Sequence, residues 1–372
     1  MIRSAVPVSR MRLLVAIALA ALALPAASQA EDAAWQRVAD PAPGGTTDDV
    51  TPKVPHVALA VVGDTPYVAS LSEAGVLTVS RPNRAGTSWV RVGAPLSRSP
   101  SVSDVELASD GRRLWAAWTE ADRKGVTDVK VARLVGSRFR VIATDLNRSN
   151  RLDAGEIHLE VAAGRVYVAF DHPHGYGRIA VVRMGSSGGR ATYLTAGLPM
   201  GGLGERPRLA PAGRVLHLAW QTFSGGAVLV RLGAGARAWQ MAPEQPPVAV
   251  GDLAVVGNTL YVASPAVYMQ TASGHFVELP GHSAHSLGVG DGKLYAGDSD
   301  SPGPDVGGPF EVAALDGESW HEVPSPGAPD HAAWGEFATG PDGALWLIWQ
   351  EAPNLFANYT PWTVHVARLV TG

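Results

Sequence analysis

Short strand-length runs of apolar residues recur through this chain, each behind a turn that carries glycine, and no helical period of useful length appears after residue 31. The pattern predicts an all-β protein. Its clearest unit is a three-residue motif found seven times: Tyr67-Val68-Ala69, Trp115-Ala116-Ala117, Tyr167-Val168-Ala169, His217-Leu218-Ala219, Tyr261-Val262-Ala263, Tyr295-Ala296-Gly297 and Trp346-Leu347-Ile348. Successive copies lie 34 to 52 residues apart, a spacing that suits four-stranded propeller blades. Seven copies predict a seven-bladed β-propeller of antiparallel blades. Many of these strands are apolar on both sides, as expected where each sheet packs between two others.

The second repeat parses into an innermost strand over 105–109, a tight turn at Asp110-Gly111, a second strand over 114–118, a third over 129–134 and an outermost strand over 138–143. Third strands recur over 76–80, 179–183, 228–232, 267–271, 310–314 and 364–369. An aromatic marks each outer strand: Trp89, Phe139, Tyr193, Trp239, Phe276 and Trp320. The seventh repeat ends at Gly372 without one. The missing strand is expected at the other end of the chain, where Trp35-Gln36-Arg37-Val38 copies Trp89-Val90-Arg91-Val92. The amino-terminal strand should therefore complete the last blade and remove an exposed sheet edge.

Arg10 and Arg12 precede an apolar run from Leu13 to Leu24, followed by Pro25 and the small-residue series Ala26-Ala27-Ser28-Gln29-Ala30. This reads as a secretory signal over residues 1–30, because twelve apolar residues fall short of the roughly 20 that a membrane helix needs. The expectation is a secreted protein, extracellular or periplasmic, with one propeller domain over 31–372, no stable membrane insertion and a monomeric state. Beyond the signal lie 27 basic and 34 acidic side chains, a net charge of −7, which argues against nucleic acid as a partner. The absence of cysteine leaves core burial to hold the fold.

Candidate chemistry follows from the register. In a propeller the inner strands start at one mouth of the central channel. Reading back nine residues from each motif, ten in the last copy, gives Ala58, Glu106, His158, Arg208, Asp252, Ser286 and Glu336 at one equivalent place. Five are ionisable, and the large apolar Leu107, Leu159, Leu209, Leu253, Leu287 and Phe337 follow directly behind the polar ones. A layer two residues earlier adds His56, Asp104, Glu156, Arg206 and Trp334. The loop from Asp171 through His172 and His174 to Arg178 should open beside His158. These residues read either as a polar funnel for a ligand or as a solvated channel whose charges neutralise one another. Trp118, Trp220 and Trp349 end second strands near this face and read as blade core or as platforms for sugar rings.

Between the second and third repeats, Asp145, Asn147, Ser149, Arg151 through its carbonyl, Asp153 and Glu156 fall at positions 1, 3, 5, 7, 9 and 12 of a twelve-residue loop. That spacing suits a calcium ion, and it resembles an EF-hand loop over those twelve residues alone. The competing reading is a turn built on side-chain to backbone bonds. Calcium is the one cofactor expected.

Through the turn-and-strand units Asp110-Gly111 to Trp115 and Asp342-Gly343 to Trp346, the chain resembles the secreted, sialidase-like seven-bladed repeat propellers of bacteria. The resemblance covers essentially the whole mature chain and concerns architecture. The Asp-box spacing Ser-x-Asp-x-Gly-x-x-Trp is absent. The three-arginine clamp of sialidases has only Arg206 and Arg208 to match it. Two functions are therefore expected as alternatives. One is a module that binds a glycan, peptide or surface protein at the channel mouth. The other is a carbohydrate-active enzyme: a hydrolase using Glu106 and Glu336 as acid and base, or a lyase using His158 or His172 as base with Arg208 against a uronate.

Overall fold

The computed structural model describes residues 34–40, 57–72, 75–99, 101–147, 153–172, 177–199, 204–299, 309–326, 332–351 and 363–371, leaving aside the side chains of Ser299, Ala333 and Trp334. The proposed signal segment, His56, Ser149, Arg151 and His174 lie outside the described residues. Seven four-stranded antiparallel sheets form; six run outward in chain order from an inner strand, and the seventh runs through Ala332–Thr339, Leu345–Glu351 and Thr363–Val370 to the amino-terminal strand Ala34–Val38. The inner strands are Val57–Val62, Val102–Ser109, Ile157–Ala162, Gly204–Ala212, Asp252–Val256, Ser286–Gly290 and Ala332–Thr339. Each touches the inner strand of the next blade, and the last touches the first, so the sheets close into a ring. The structure is a seven-bladed β-propeller.

The blades cohere through small and large residues that face each other across the blade boundaries. Two consecutive places make this visible, directly after the ring of equivalent places held by Ala58, Glu106, His158, Arg208, Asp252, Ser286 and Glu336. The place after the ring residue carries Leu59, Leu107, Leu159, Leu209, Leu253, Leu287 and Phe337, and the next carries Ala60, Ala108, Glu160, Ala210, Ala254, Gly288 and Ala338. Ala58 and Ala60 pack in one apolar cluster with Leu107 of the following blade, and Ala108 packs with Leu159. Where Phe337 replaces leucine, the facing residue shrinks to Gly288: a Cβ there would lie 2.6 Å from the Phe337 Cβ and 2.8 Å from Leu345 Cδ1.

Closure follows the expected register, with Ala34 opposite Val370, Trp35 opposite Leu369 and Val38 opposite Val366. Side chains reinforce it. The Arg37 guanidinium lies 5.3 Å from the centre of the Trp349 ring, and Trp349 stacks on His365 at 5.1 Å. His365 Nδ1 meets Asp40 Oδ1 at 2.7 Å, and the Trp89 indole donates to the Ala39 carbonyl, tying the closing strand to the first blade.

The sequence-based strand limits need two adjustments. The inner strand of the second blade begins at Val102, three residues earlier than expected, and carries a register shift between Val102 and Asp104. Similar irregularities occur between Glu205 and Arg208 and between Ala332 and Trp334. The second strands of these blades run on to Ala121, Thr222 and Glu351, so the longer inner strands have partners. Trp239 precedes its two-residue outer strand, Gln240–Met241, and is buried with its indole bonded to the Leu194 carbonyl at 2.7 Å.

Two outcomes test this account. Deleting residues 31–40 exposes the edge of Thr363–Val370 and should lower the melting temperature or drive association; an unchanged melting temperature in a monomeric truncation would overturn the closure argument. Gly288→Ala should cost about 1–3 kcal/mol through overpacking, and Phe337→Leu in the same chain should recover part of it, since leucine keeps the Cβ that the new methyl meets but is the residue that most other blades set against alanine. Denaturant unfolding of the two single variants and the double variant measures that coupling.

Candidate functional site

The register aligns the seven predicted ring residues. Ala58, Glu106, His158, Arg208, Asp252, Ser286 and Glu336 pair across their sheets with Ala69, Ala117, Ala169, Ala219, Ala263, Gly297 and Ile348, the third residue of each motif. They stand at one level round the channel.

Each inner strand is an outermost member of its own sheet, so its channel-side edge lacks a neighbouring strand. Polar side chains from the preceding blade supply part of what that edge requires. Asp104 Oδ2 accepts from the Ile157 amide at 2.8 Å, and Asp252 Oδ2 accepts from the Leu287 amide at 2.8 Å. His158 Nδ1 lies 3.2 Å from the Leu209 amide and accepts from it. Arg208 Nε donates to the Gly251 carbonyl at 3.1 Å, and one of its terminal nitrogens donates to the Pro207 carbonyl at 3.2 Å. Four of the polar channel residues therefore hold backbone as well as carrying charge.

Beside this ring lies a cavity of about 370 Å³, which reaches from Glu106, His158 and Glu336 past the collar of seven large apolar residues to Ser109 and Thr339 near the opposite end of the inner strands. A fourth titratable group, Glu160, also lines it. Glu160 escaped the sequence analysis, although the signal was present: it occupies a place where the six other blades carry alanine or glycine. Its Oε1 accepts from the amide of the adjacent Val161 at 2.7 Å.

The electrostatics are one-sided. Burial, then the neighbouring Glu336 and Asp104, push the Glu106 carboxyl well above its ordinary range against the pull of Arg208. Burial, followed by Asp252, lifts Glu336 to about 8, with Arg208 opposing. Burial alone lifts Glu160 to about 7, against its backbone bond. Asp252 is also raised by burial, opposed by Arg208. Burial and then Arg208 push His158 down to about 3. A neutral ring protonated on Nε2 accounts for its Nδ1 accepting the Leu209 amide.

The rim residues behave differently. Arg206 adopts a left-handed conformation with φ 57° beside the register shift, and its exposed side chain faces Glu156 at 3.6 Å. Burial, then Glu156, raises Asp171 to about 6, and its carboxyl packs against Gly155. His172 is buried, with Nδ1 3.1 Å from the Asp153 carbonyl and its ring edge-on to Phe170. Asp171 and His172 are thus part of the packed rim.

Of the six loop residues expected to hold calcium, Asp145, Asn147, Asp153 and Glu156 are described. Asn147 Nδ2 donates to the Thr127 carbonyl at 2.9 Å, and Asp153 Oδ1 accepts from the Thr127 amide at 2.8 Å. These bonds fasten both ends of the loop to the second blade. Among the described residues, no three His, Cys, Asp or Glu side chains gather as metal ligands. Trp118, Trp220 and Trp349 are fully buried and present no face to a sugar.

No family model matches this chain, and neither does any curated protein. Solved structures do. Trypanosoma rangeli sialidase in complex with sialic acid matches with a TM-score of 0.52 and 9% identity, over 90% of this chain and 58% of that one. The same sialidase with the inhibitor DANA matches with a TM-score of 0.52 and 11% identity, over 88% and 55%. The architecture is sialidase-like. At this identity the likeness concerns the fold alone, and the chain spans little more than half the length of the solved proteins it matches.

The raised carboxyls give the site a pH signature. A carboxyl with a folded-state pKa of about 7 favours the folded state fully below its unfolded value, and that contribution is lost as pH rises through 7. Replacing Glu160 by alanine, the residue of most equivalent places, should raise the melting temperature relative to the parent more at pH 8.5 than at pH 5. The differential should reach up to roughly 3 kcal/mol. Identical pH slopes for variant and parent would show that Glu160 is not held in this environment.

Proposed function

We propose that this is a secreted propeller module that binds an extracellular ligand, a glycan in the first place, in its central channel. The observation that carries this reading is that every channel carboxyl with a resolved shift is displaced in the same direction. Acid and base catalysis by two carboxyls needs environments that drive their pKa values apart, so that one stays protonated while the other is ionised. Glu106, Glu336 and Asp252 are all pushed upward. His158, the candidate lyase base, is committed through Nδ1 to the Leu209 amide and pushed down to about 3, far below the range of an effective base near neutrality.

The size of the cavity supports binding of a small ligand or one residue of a larger one, since small-molecule sites span about 300–1,000 Å³. Solved sialidases of similar fold, one of them carrying sialic acid, support a carbohydrate as the ligand class. Their chemistry does not carry over to this channel: among the described residues no arginine lines the cavity. The second reading, a hydrolase with Glu336 as its acid, is favoured by the pKa of about 8 at that residue. Asn147 and Asp153 hold the backbone of Thr127, which gives the Asp145–Glu156 loop a structural role whether or not it takes calcium.

A thermal-shift screen against neutral, acidic and amino oligosaccharides, with product analysis of each hit, tests the reading. A saccharide should raise the melting temperature without being cleaved, and Glu106→Gln should reduce that shift at least severalfold while leaving the protein folded. Cleavage abolished by Glu336→Gln would replace the module with the hydrolase.

A further inference from the structure

We propose that the outer flank of the first two blades binds an acidic polysaccharide, a chain of sugars carrying carboxylate or sulfate groups. The site is separate from the channel and uses none of its residues, so the inference stands independently of the channel reading.

Charge along the chain points there first. Residues 75–99 and 129–144 hold most of the third and outer strands of these two blades. They carry Arg81, Arg84, Arg91, Arg98, Lys130, Arg133, Arg138 and Arg140, with no aspartate or glutamate among them. The remainder of the chain from residue 31 has 19 basic against 34 acidic side chains. Positive charge is thus gathered on one flank of a protein that is negative overall, whereas a surface charged only for solubility intersperses both signs. Lys130 pairs with Glu120 at 3.2 Å, and Arg133 donates to the Ser186 carbonyl at 3.2 Å. The other six are exposed, and among the described residues none of them meets a carboxylate.

Shape supplies an independent observation. The connection that leaves the outer strand of the first blade passes Gly93, which adopts a left-handed conformation with φ 71° against the second blade. A Cβ there would stand 2.8 Å from the Ser137 carbonyl oxygen and 3.2 Å from Arg138 Cα. The segment Ala94-Pro95-Leu96 is thereby laid along the blade boundary, where the Leu96 amide donates to the Leu77 carbonyl at 2.9 Å. Two hollows adjoin it. One, of about 550 Å³, is bounded by Arg138 and Phe139, and the other, of about 440 Å³, by Arg98, Lys130 and Thr144. Ala94, Pro95, Leu96 and Val141 line both, so the hollows form one groove with an apolar floor and cations in each half. Val90, Val135 and Val141, three of the seven large apolar side chains exposed among the described residues, belong to the same two segments.

These features select the ligand. The planar fork of a guanidinium matches two oxygens of a carboxylate or sulfate, and anions repeated along a polymer can meet arginines spread over two blades. The floor of Pro95, Leu96 and Val141 takes the apolar faces of sugar rings, and its fixed backbone limits the ordering cost of binding. A neutral glycan would leave the arginines without ionic partners. Nucleic acid fits less well, because bases need open aromatic faces to stack on. Trp89 packs towards the last blade and Phe139 into the core, each half-buried.

Biolayer interferometry on the full mature chain at pH 7 tests this, at about 50 and about 300 mM salt, where screening differs strongly. The probes are polygalacturonate, dextran sulfate, unmodified dextran, duplex DNA and phosphatidylglycerol vesicles. At least one acidic polysaccharide should bind at the lower salt and weaken about tenfold or more at the higher, while dextran should not bind. The preference between polygalacturonate and dextran sulfate identifies carboxylate or sulfate as the anion. Combining Arg91→Glu, Arg98→Glu and Arg138→Glu should weaken that binding about tenfold or more with an unchanged melting temperature. Combining Arg190→Glu, Arg214→Glu and Arg237→Glu makes the same change in net charge at exposed arginines of the third and fourth blades, and should weaken it less than about threefold. Equal losses in the two triple variants would reduce the effect to net charge and overturn the inference. Tighter binding of DNA or of the vesicles would overturn the ligand class, and failure of both acidic polysaccharides to bind at the lower salt would overturn the site.

Discussion

Each blade of a propeller presents to the central channel a strand edge that no further strand can cover. The rest of this structure is arranged round that constraint. Backbone amides and carbonyls held near protein and away from bulk water must find partners, and here part of the supply comes from side chains reaching across the blade boundary. Asp104, His158 and Asp252 accept from amides of the next blade, and Arg208 donates to one of its carbonyls. A channel with such edges draws polar residues for structural reasons before any ligand is considered. That is why a ring of ionisable residues at one register level is weak evidence of function by itself, and why the residues left over after the edge has been served are the informative ones.

How much of this could be read from the sequence follows the same division. The seven blades, the closing strand and the ring were legible because each depends on a period: the recurring motif, the outer aromatics and a fixed offset from motif to inner strand. The period failed where the backbone departs from it. The register shifts that lengthen three inner strands, and the left-handed Arg206 beside one of them, leave no mark in hydrophobic patterning. Side-chain direction was equally hidden. His158 was as good a base as an edge acceptor until the Leu209 amide was placed 3.2 Å from its Nδ1. The three tryptophans at the ends of second strands were open between platform and core, and the packing of neighbouring sheets makes them core.

Glu160 shows a different kind of failure. Its level repeats as faithfully as the ring does, but a row of alanines looks like filler, and the exception becomes visible only when the row is seen to wall a cavity. The same row explains why the exception is physically expensive. Small residues at this level leave room for the large apolar side chains of the next blade, with Gly288 and Phe337 as the extreme case. A glutamate there brings length, charge and a desolvation cost into a place that otherwise asks only for a methyl group.

Surrounding groups do little to offset that cost. Glu106, Glu336 and Asp252 each have Arg208 acting in their favour, whereas Glu160 has no opposing charge among the causes of its shift. One guanidinium set against several carboxyls cannot neutralise them all, and burial then settles the balance by keeping protons on the acids. Proton uptake and release at such a site are tied to whatever positive charge approaches, because a cation and a proton compete for the same carboxylates. Glu160 gives one carboxyl oxygen to the Val161 amide, so even at this level below the ring the polar side chain serves the strand edge.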